Sequence, residues 1–163
     1  MERIELSLLK AEFNAQIKEI EKIFVDIDDR KRGAKKSQAK LESLAYKLHN
    51  LYCAFEDLFK IIARHFENQV DDIAKYHKEL LKRMTFRIEG VRPQLLSEES
   101  FNILDELRAF RHYFRHAYQH ELRHEKIKPV VDASERIKIL YKDEIKRFLD
   151  ETEDGINAAD SAD

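Results

Sequence analysis

The sequence is poor in residues that break helices and in residues that cross-link chains. Its 163 residues include three glycines, two prolines, one cysteine and no tryptophan. With Cys53 as the single cysteine, the chain can form neither an internal disulfide nor a cysteine-rich zinc site. Because few positions favour tight turns, we expect long helices joined by a few short connections.

Long apolar runs are also absent. No stretch approaches the length needed to span a bilayer, and residues 1–5 are charged and lack the apolar core of a signal peptide. We therefore expect a soluble, cytoplasmic protein. The formal net charge is only -2, so any surface for RNA must come from local clustering of cations.

Apolar residues recur at steps of three and four, the spacing of a buried helix face. Five helices are predicted: residues 4–28, residues 37–65, a third that includes Val70, Ile73 and Met84, a fourth from Ser97 to at least Tyr118, and a fifth after a break at Pro129. The fold class is then all-α, an antiparallel bundle of four to five helices over residues 1–150. Residues 151–163 are acidic and small, which predicts a disordered tail.

Three polar side chains fall among the apolar positions of the predicted second and third helices. A buried charge must be paired, so we interpret His49 and Glu56 as edge or hydrogen-bonded positions. His77 is interpreted as a packing residue rather than a ligand.

The fourth helix opens a local basic patch. Residues 108–128 contain six Lys or Arg, two acids, and four of the seven histidines of the chain. Cations attract phosphate, arginine offers paired donors, and histidine moves a proton near neutral pH. These groups suit RNA cleavage, in which a base takes the ribose 2′-OH proton, the oxygen attacks phosphorus, and cations stabilise the transition state.

Two other interpretations use the same residues. Arg and His on a partly exposed helix often serve only solvation and weak ion pairing. Histidines four residues apart share a helix face, so His112 with His116, or His116 with His120, could bind zinc. The neighbouring arginines would repel such a cation.

Arg111, His116 and Tyr118 resemble the Arg-x4-His-x-Tyr motif of HepT toxins, within the broader HEPN pattern in which a polar residue, here His112, follows the arginine. The helix order, the late position of the motif in the fourth helix and the chain length are also similar to that family. The resemblance implies a toxin of a type VII toxin–antitoxin system. It further implies a homodimeric ribonuclease that needs no metal or other cofactor, with its cleft between the two motif helices.

From this resemblance, our leading hypothesis assigns a role to each residue of the segment. The catalytic residues are Arg111 as phosphate clamp, His116 for proton transfer, and His112 as an assisting group; the RNA contacts are Arg108, Arg115 and Tyr118. The resemblance also implies a cognate nucleotidyltransferase antitoxin of the MNT type. It would neutralise the toxin by attaching AMP to Tyr118, which places an anion beside the arginines.

Ideal helix geometry separates two of these residues. Arg111 and His116 are five positions apart, roughly 140° around a helix, so they do not easily meet one phosphate within one straight helix. Two protomers that cross at this helix could bring them together. The alternatives are an inactive HEPN-like module that binds RNA, nucleotide or a partner, and a plain helical interaction protein.

Overall fold

The protein is described here by a computed structural model that covers residues 1–67 and 76–162. Within these ranges it has five α-helices and a short 3-10 turn: α1 Arg3–Lys31, α2 Gln38–Glu67, α3 His77–Arg83, α4 Glu98–Arg115, the turn Ala117–Gln119, and α5 His124–Asp160. The predicted all-α bundle is confirmed. Val70 and Ile73, which we assigned to the third helix, lie outside the described residues. No helix in the described ranges has the length and apolar character of a membrane span.

Helix α2 is the central element of the bundle. It packs against α1, α3, α4 and α5. Every residue of its predicted apolar stripe is buried: Leu41, Leu44, Leu48, Leu51, Phe55, Leu58 and Ile62. The three-four spacing therefore predicted the core face of this helix correctly.

The start of α4 also matches the sequence, whereas its end does not. Ser97 caps the helix, because its hydroxyl accepts a hydrogen bond from the backbone N–H of Ser100 at 3.1 Å. The α-helix ends at Arg115, and His116 is its C-cap. The prediction of one helix through Tyr118 is therefore wrong for the last residues. The chain must turn towards α5 there, and Leu122 is buried against the core in the connection.

Helix α5 corrects two predictions. Pro129 lies inside it, in the second turn, where the missing N–H removes one backbone hydrogen bond but buried neighbours on both sides, Ile127 and Val130, hold the turn. The helix also continues to Asp160, through most of the predicted disordered tail. The extended segment lies against α1, where Lys10 pairs with Glu153 at 2.9 Å and Arg3 with Asp160 at 3.1 Å.

The antiparallel order brings four chain segments to one end of the bundle, which we call the motif end. They are the turn between α1 and α2, the last turn of α4, the 3-10 turn, and the first turn of α5. A hydrogen bond 3.0 Å long from Gln38 Nε2, at the start of α2, to the carbonyl of Leu122, in the connection just before α5, joins two of the chain segments at this end.

Candidate functional site

The predicted site residues lie at the motif end, where α4 stops. Arg111 is half-buried in the penultimate turn of α4, and His116 is exposed at its C-cap. Tyr118 lies in the 3-10 turn and is 82% exposed. Because the helix ends between them, the arginine is fixed by helix packing whereas the tyrosine is presented to solvent.

Arg111 is held by a relay of side chains from two other helices. Its Nη1 donates a long hydrogen bond, 3.5 Å, to Nε2 of His77 on α3. His77 Nδ1 lies 2.6 Å from the Oε2 atom of Glu56 on α2. Since a carboxylate only accepts, Nδ1 carries the proton and Nε2 keeps the lone pair that accepts from Arg111. Glu56 is 3% exposed, so the relay is anchored in the core.

The relay changes the interpretation of His77 and identifies the partner of Glu56. Glu56 is hydrogen-bonded, as the sequence indicated, but His77 is more than a packing residue, because it links Glu56 to Arg111. Sequence reasoning did not find this link. The only available signal was a carboxylate on an apolar helix face, which requires a partner that the sequence does not identify.

Arg111 retains hydrogen-bonding capacity after this contact. Its Nε atom is buried and makes no hydrogen bond within the described residues, and the same holds for the Tyr52 hydroxyl. Burial raises the pKa of Tyr52, as does the nearby Glu56, while Arg111 acts in the opposite direction. Because Nε is buried, the donor that remains for an external anion such as phosphate is Nη2, which forms no hydrogen bond within the described residues.

His49 of α2 faces the same part of α4. Its ring lies 5.1 Å from the Phe114 ring, centroid to centroid, and its Nδ1 is 3.4 Å from the side-chain oxygen of Asn50. Burial lowers the pKa of His49, the hydrogen bond with Asn50 opposes this, and the charges of Arg111 and Arg115 lower it further. His49 is therefore a neutral imidazole beside two cations at pH 7.

His112 and His116 form a pair on the exposed side of the motif. Their ring centroids are 4.9 Å apart, with the planes inclined at 57°. Both residues are exposed, so a substrate can reach them. No hydrogen bond or ring contact within the described ranges joins Arg111 to His116, which agrees with the angular separation expected from the sequence.

The two flanking arginines differ in their contacts. Arg108 is half-buried, and its Nε lies 2.7 Å from Oδ1 of Asp105. Arg115 is exposed and has no ion pair in the part of the chain that the structure describes. Arg115 is thus the more available of the two for an external anion, and Arg108 is partly neutralised.

The zinc interpretation needs further ligands near the histidine pair. Among the described residues, no group of three or more His, Cys, Asp or Glu side chains is arranged to hold a metal ion. His112 and His116 have no third ligand from those side chains. The structure therefore offers no built metal centre at this patch in the described ranges.

A protein-family model described as HepT-like protein matches residues 43–152. The matched segment includes most of α2, all of α3 and α4, most of α5, and the whole Arg-x4-His-x-Tyr motif. No curated protein and no solved structure matches the chain.

The burial of His49 and the two arginines near it predict that its pKa is lowered. We expect an NMR titration midpoint below the usual 6.5. Arg115→Gln should raise the pKa of His49 only part of the way back, because burial is the larger cause and remains. Since the folded state disfavours the protonated form, His49 should lower the stability of the fold as pH falls below about 6.5. The control is Arg136→Gln, which removes an arginine that is paired with Glu106. An equal change in the His49 pKa in both variants would contradict the contribution of Arg115.

Proposed function

The chain belongs to the HepT-like family, and from this membership and the motif geometry we propose that it is a toxin-type ribonuclease that cleaves RNA without a metal ion. The observation that carries the proposal is the combination at the end of α4. Arg111, a half-buried arginine whose Nη1 contacts His77, is followed directly by His112, which forms an exposed pair of imidazoles with His116. These are the groups that phosphodiester cleavage by proton transfer needs.

In the proposed reaction, His116 takes the proton from the ribose 2′-OH. The 2′-oxygen forms a bond to the adjacent phosphorus, and the bond from phosphorus to the 5′-oxygen breaks. The leaving 5′-oxygen takes up a proton, so that an RNA end with a 2′,3′-cyclic phosphate and a 5′-hydroxyl end result. Arg111 binds the phosphate and stabilises its growing charge, and His112 orients His116 or assists its proton transfer.

The groups around the motif support this assignment of roles. The Glu56–His77 relay holds the Arg111 guanidinium, so little reorganisation is needed when a phosphate binds. Arg115 and Tyr118, both exposed, contact the RNA on either side of the cleaved bond. Arg108 contributes through the part of its guanidinium that Asp105 does not occupy.

The cleavage reaction is tested with His116→Ala on a mixed RNA substrate in excess EDTA. We expect a loss of about 10²–10⁴-fold in rate, the usual contribution of a general acid or base. The circular dichroism spectrum should not change, because His116 is exposed. His120→Ala is the matched control, since it removes another exposed histidine of the patch outside the motif, and it should cleave like the wild type.

Two outcomes would contradict the proposal. Equal cleavage by the wild type and His116→Ala would exclude His116 as the proton-transfer residue. A wild-type protein that binds RNA but never cleaves it, with or without added metal, would favour the alternative of an inactive HEPN-like binding module.

We further propose that the working unit is a homodimer, with each site built from Arg111 of one protomer and His116 of the other. The separation of these residues within one chain supports this arrangement. Arg111→Ala and His116→Ala should each be inactive alone, but mixing them under conditions that exchange subunits should restore roughly a quarter of the wild-type activity, because half of the dimers then have one complete site. If dimers that are shown to contain one protomer of each variant recover no RNA cleavage, the shared site is wrong.

The exposed Tyr118 supports a proposal for control by a nucleotidyltransferase antitoxin of the MNT type, which attaches AMP to its hydroxyl. The hydroxyl lies 3.3 Å from the Gln119 amide nitrogen and is open to an enzyme. The added phosphate would compete with RNA for the nearby arginines by charge and by volume.

This control is tested by incubating the protein with such a nucleotidyltransferase and ATP, followed by mass spectrometry. We expect AMP on Tyr118 and a loss of RNA affinity in the modified protein. Tyr118→Phe should take up no AMP, whereas Tyr46→Phe, at a tyrosine that is 53% exposed on α2, should be modified normally. Labelling of Tyr118→Phe to the wild-type level would place the modification elsewhere.

A further inference from the structure

The cations of this protein divide into two groups by their partners. Along the long faces of α1 and α5, lysines and arginines pair with carboxylates, as Lys10 does with Glu153 and Lys138 with Asp28. The motif end is different. Six cations in it or directly beside it form no ion pair, side-chain hydrogen bond or ring contact within the described residues: Lys35, Lys36, Lys40, Arg115, Arg123 and Lys126. In the rest of the described chain, the same is true only of Lys18 and Lys78.

Several of these unpaired cations stand where they oppose helix stability. Arg123 is the N-cap of α5, and Lys126 lies in its first turn beside a single acid, Glu125. Lys40 lies in the first turn of α2, which contains no acidic residue. The N-terminal end of a helix carries partial positive charge, so a cation there is repelled by the helix dipole. The fold therefore gains no stability from the helix dipole at these positions.

Four of the residues at this end line an open cleft between the α1–α2 turn and the start of α5. The cleft has a volume of about 510 Å³ and is lined by Lys35, Lys36, Arg123 and His124. Two carboxylates, Glu121 and Glu125, also line it. With His124 neutral, the three cations and two carboxylates give the cleft a formal charge of +1. A cleft lined by charged and polar groups fits a hydrated polyanion better than an apolar segment of a protein.

The cleft adjoins a second depression, which reaches the chain between Arg111 and Tyr118. Arg123 lines both the cleft and this depression, in which it is joined by Lys126 and by Tyr113 of the motif segment. Arg123 therefore lies between the depression at Tyr113 and the two lysines of the cleft.

We propose that RNA continues from the motif across Arg123 into this cleft, where Lys35 and Lys36 bind backbone phosphates outside the scissile one. The proposal rests on the proposed ribonuclease function and extends its substrate site. Lysines bind phosphate as flexible point charges without reading the base. The surface therefore favours longer single strands without selecting their sequence.

The test compares two double variants, both made in the His116→Ala protein so that the RNA survives. One is Lys35→Ala with Lys36→Ala. The control is Lys18→Ala with Lys22→Ala, which removes the same charge from exposed lysines on α1. Fluorescence anisotropy gives the Kd for a dinucleotide and for a longer single-stranded oligonucleotide over a range of salt concentrations.

Loss of the cleft lysines should weaken binding of the longer oligonucleotide roughly tenfold at low salt and reduce the slope of log K against log salt by about 1.4, or about 0.7 for each lost phosphate contact. The loss should be much smaller for the dinucleotide, and the control should bind both ligands as its parent does.

The outcomes separate this proposal from the function on which it rests. Identical Kd values and slopes for both double variants, in a protein whose wild type cleaves RNA, would overturn the cleft while the ribonuclease stands. A His116→Ala protein that binds no RNA, together with a wild type that cleaves none, would overturn both. If the cleft variant binds RNA normally but loses a protein partner, the cleft is a protein-docking surface and the RNA proposal is wrong.

Discussion

The burial of Glu56 in the central helix is the constraint on which the site depends. A carboxylate withdrawn from water on the face of α2 is stable only with partners, because desolvation of an unpaired charge costs several kcal/mol. His77 supplies the main partner and Lys60 a second one at 3.6 Å. Because His77 then has only its Nε2 lone pair left, it accepts from Arg111. The core thus fixes the orientation of a half-buried guanidinium.

The same packing separates two kinds of cation. Arg111 is fixed by the relay and lies beside the neutral His49, whereas Arg115, one turn later, is exposed and unpaired within the described residues. A fixed guanidinium is suited to stabilise charge that develops at one position. An exposed one is suited to attract and hold a flexible polyanion. The end of α4 at Arg115 therefore marks the change from a rigid part of the site to an adaptable one.

The sequence predicted those features that depend on neighbours within one turn of helix. The apolar stripe of α2 and the start of α4 at Ser97 follow from local spacing, and the structure confirms both. The relay joins residues separated by 21 and 34 positions, and no local pattern indicates which buried carboxylate will meet which imidazole. The roles of the motif residues came from resemblance, and they remain predictions.

The errors at Pro129 and in the acidic C-terminal segment have a common physical cause. Both positions were judged by intrinsic propensity, and in both the packing of α5 outweighs it. Proline costs one hydrogen bond near a helix start, where few have yet formed, and buried residues beside it repay that cost. The last three turns of α5 lie along α1. Ion pairs with α1 and the burial of Thr152 stabilise this part of the helix, whose composition alone does not favour order.

The charges at the helix ends favour helix stability in α4 but oppose it at the start of α2 and in part at the start of α5. Helix α4 follows the dipole rule at both ends, with Glu98 and Glu99 in its first turn and Arg115 in its last. The start of α2 breaks that rule, with Lys40 and no acid in its first turn, and the start of α5 has Arg123 and Lys126 against one acid, Glu125. Departures from local stability are expected where a protein must bind something, and these departures lie at the motif end. The charges at both ends of α4 thus stabilise that helix. The cations that oppose helix stability lie at the starts of α2 and α5.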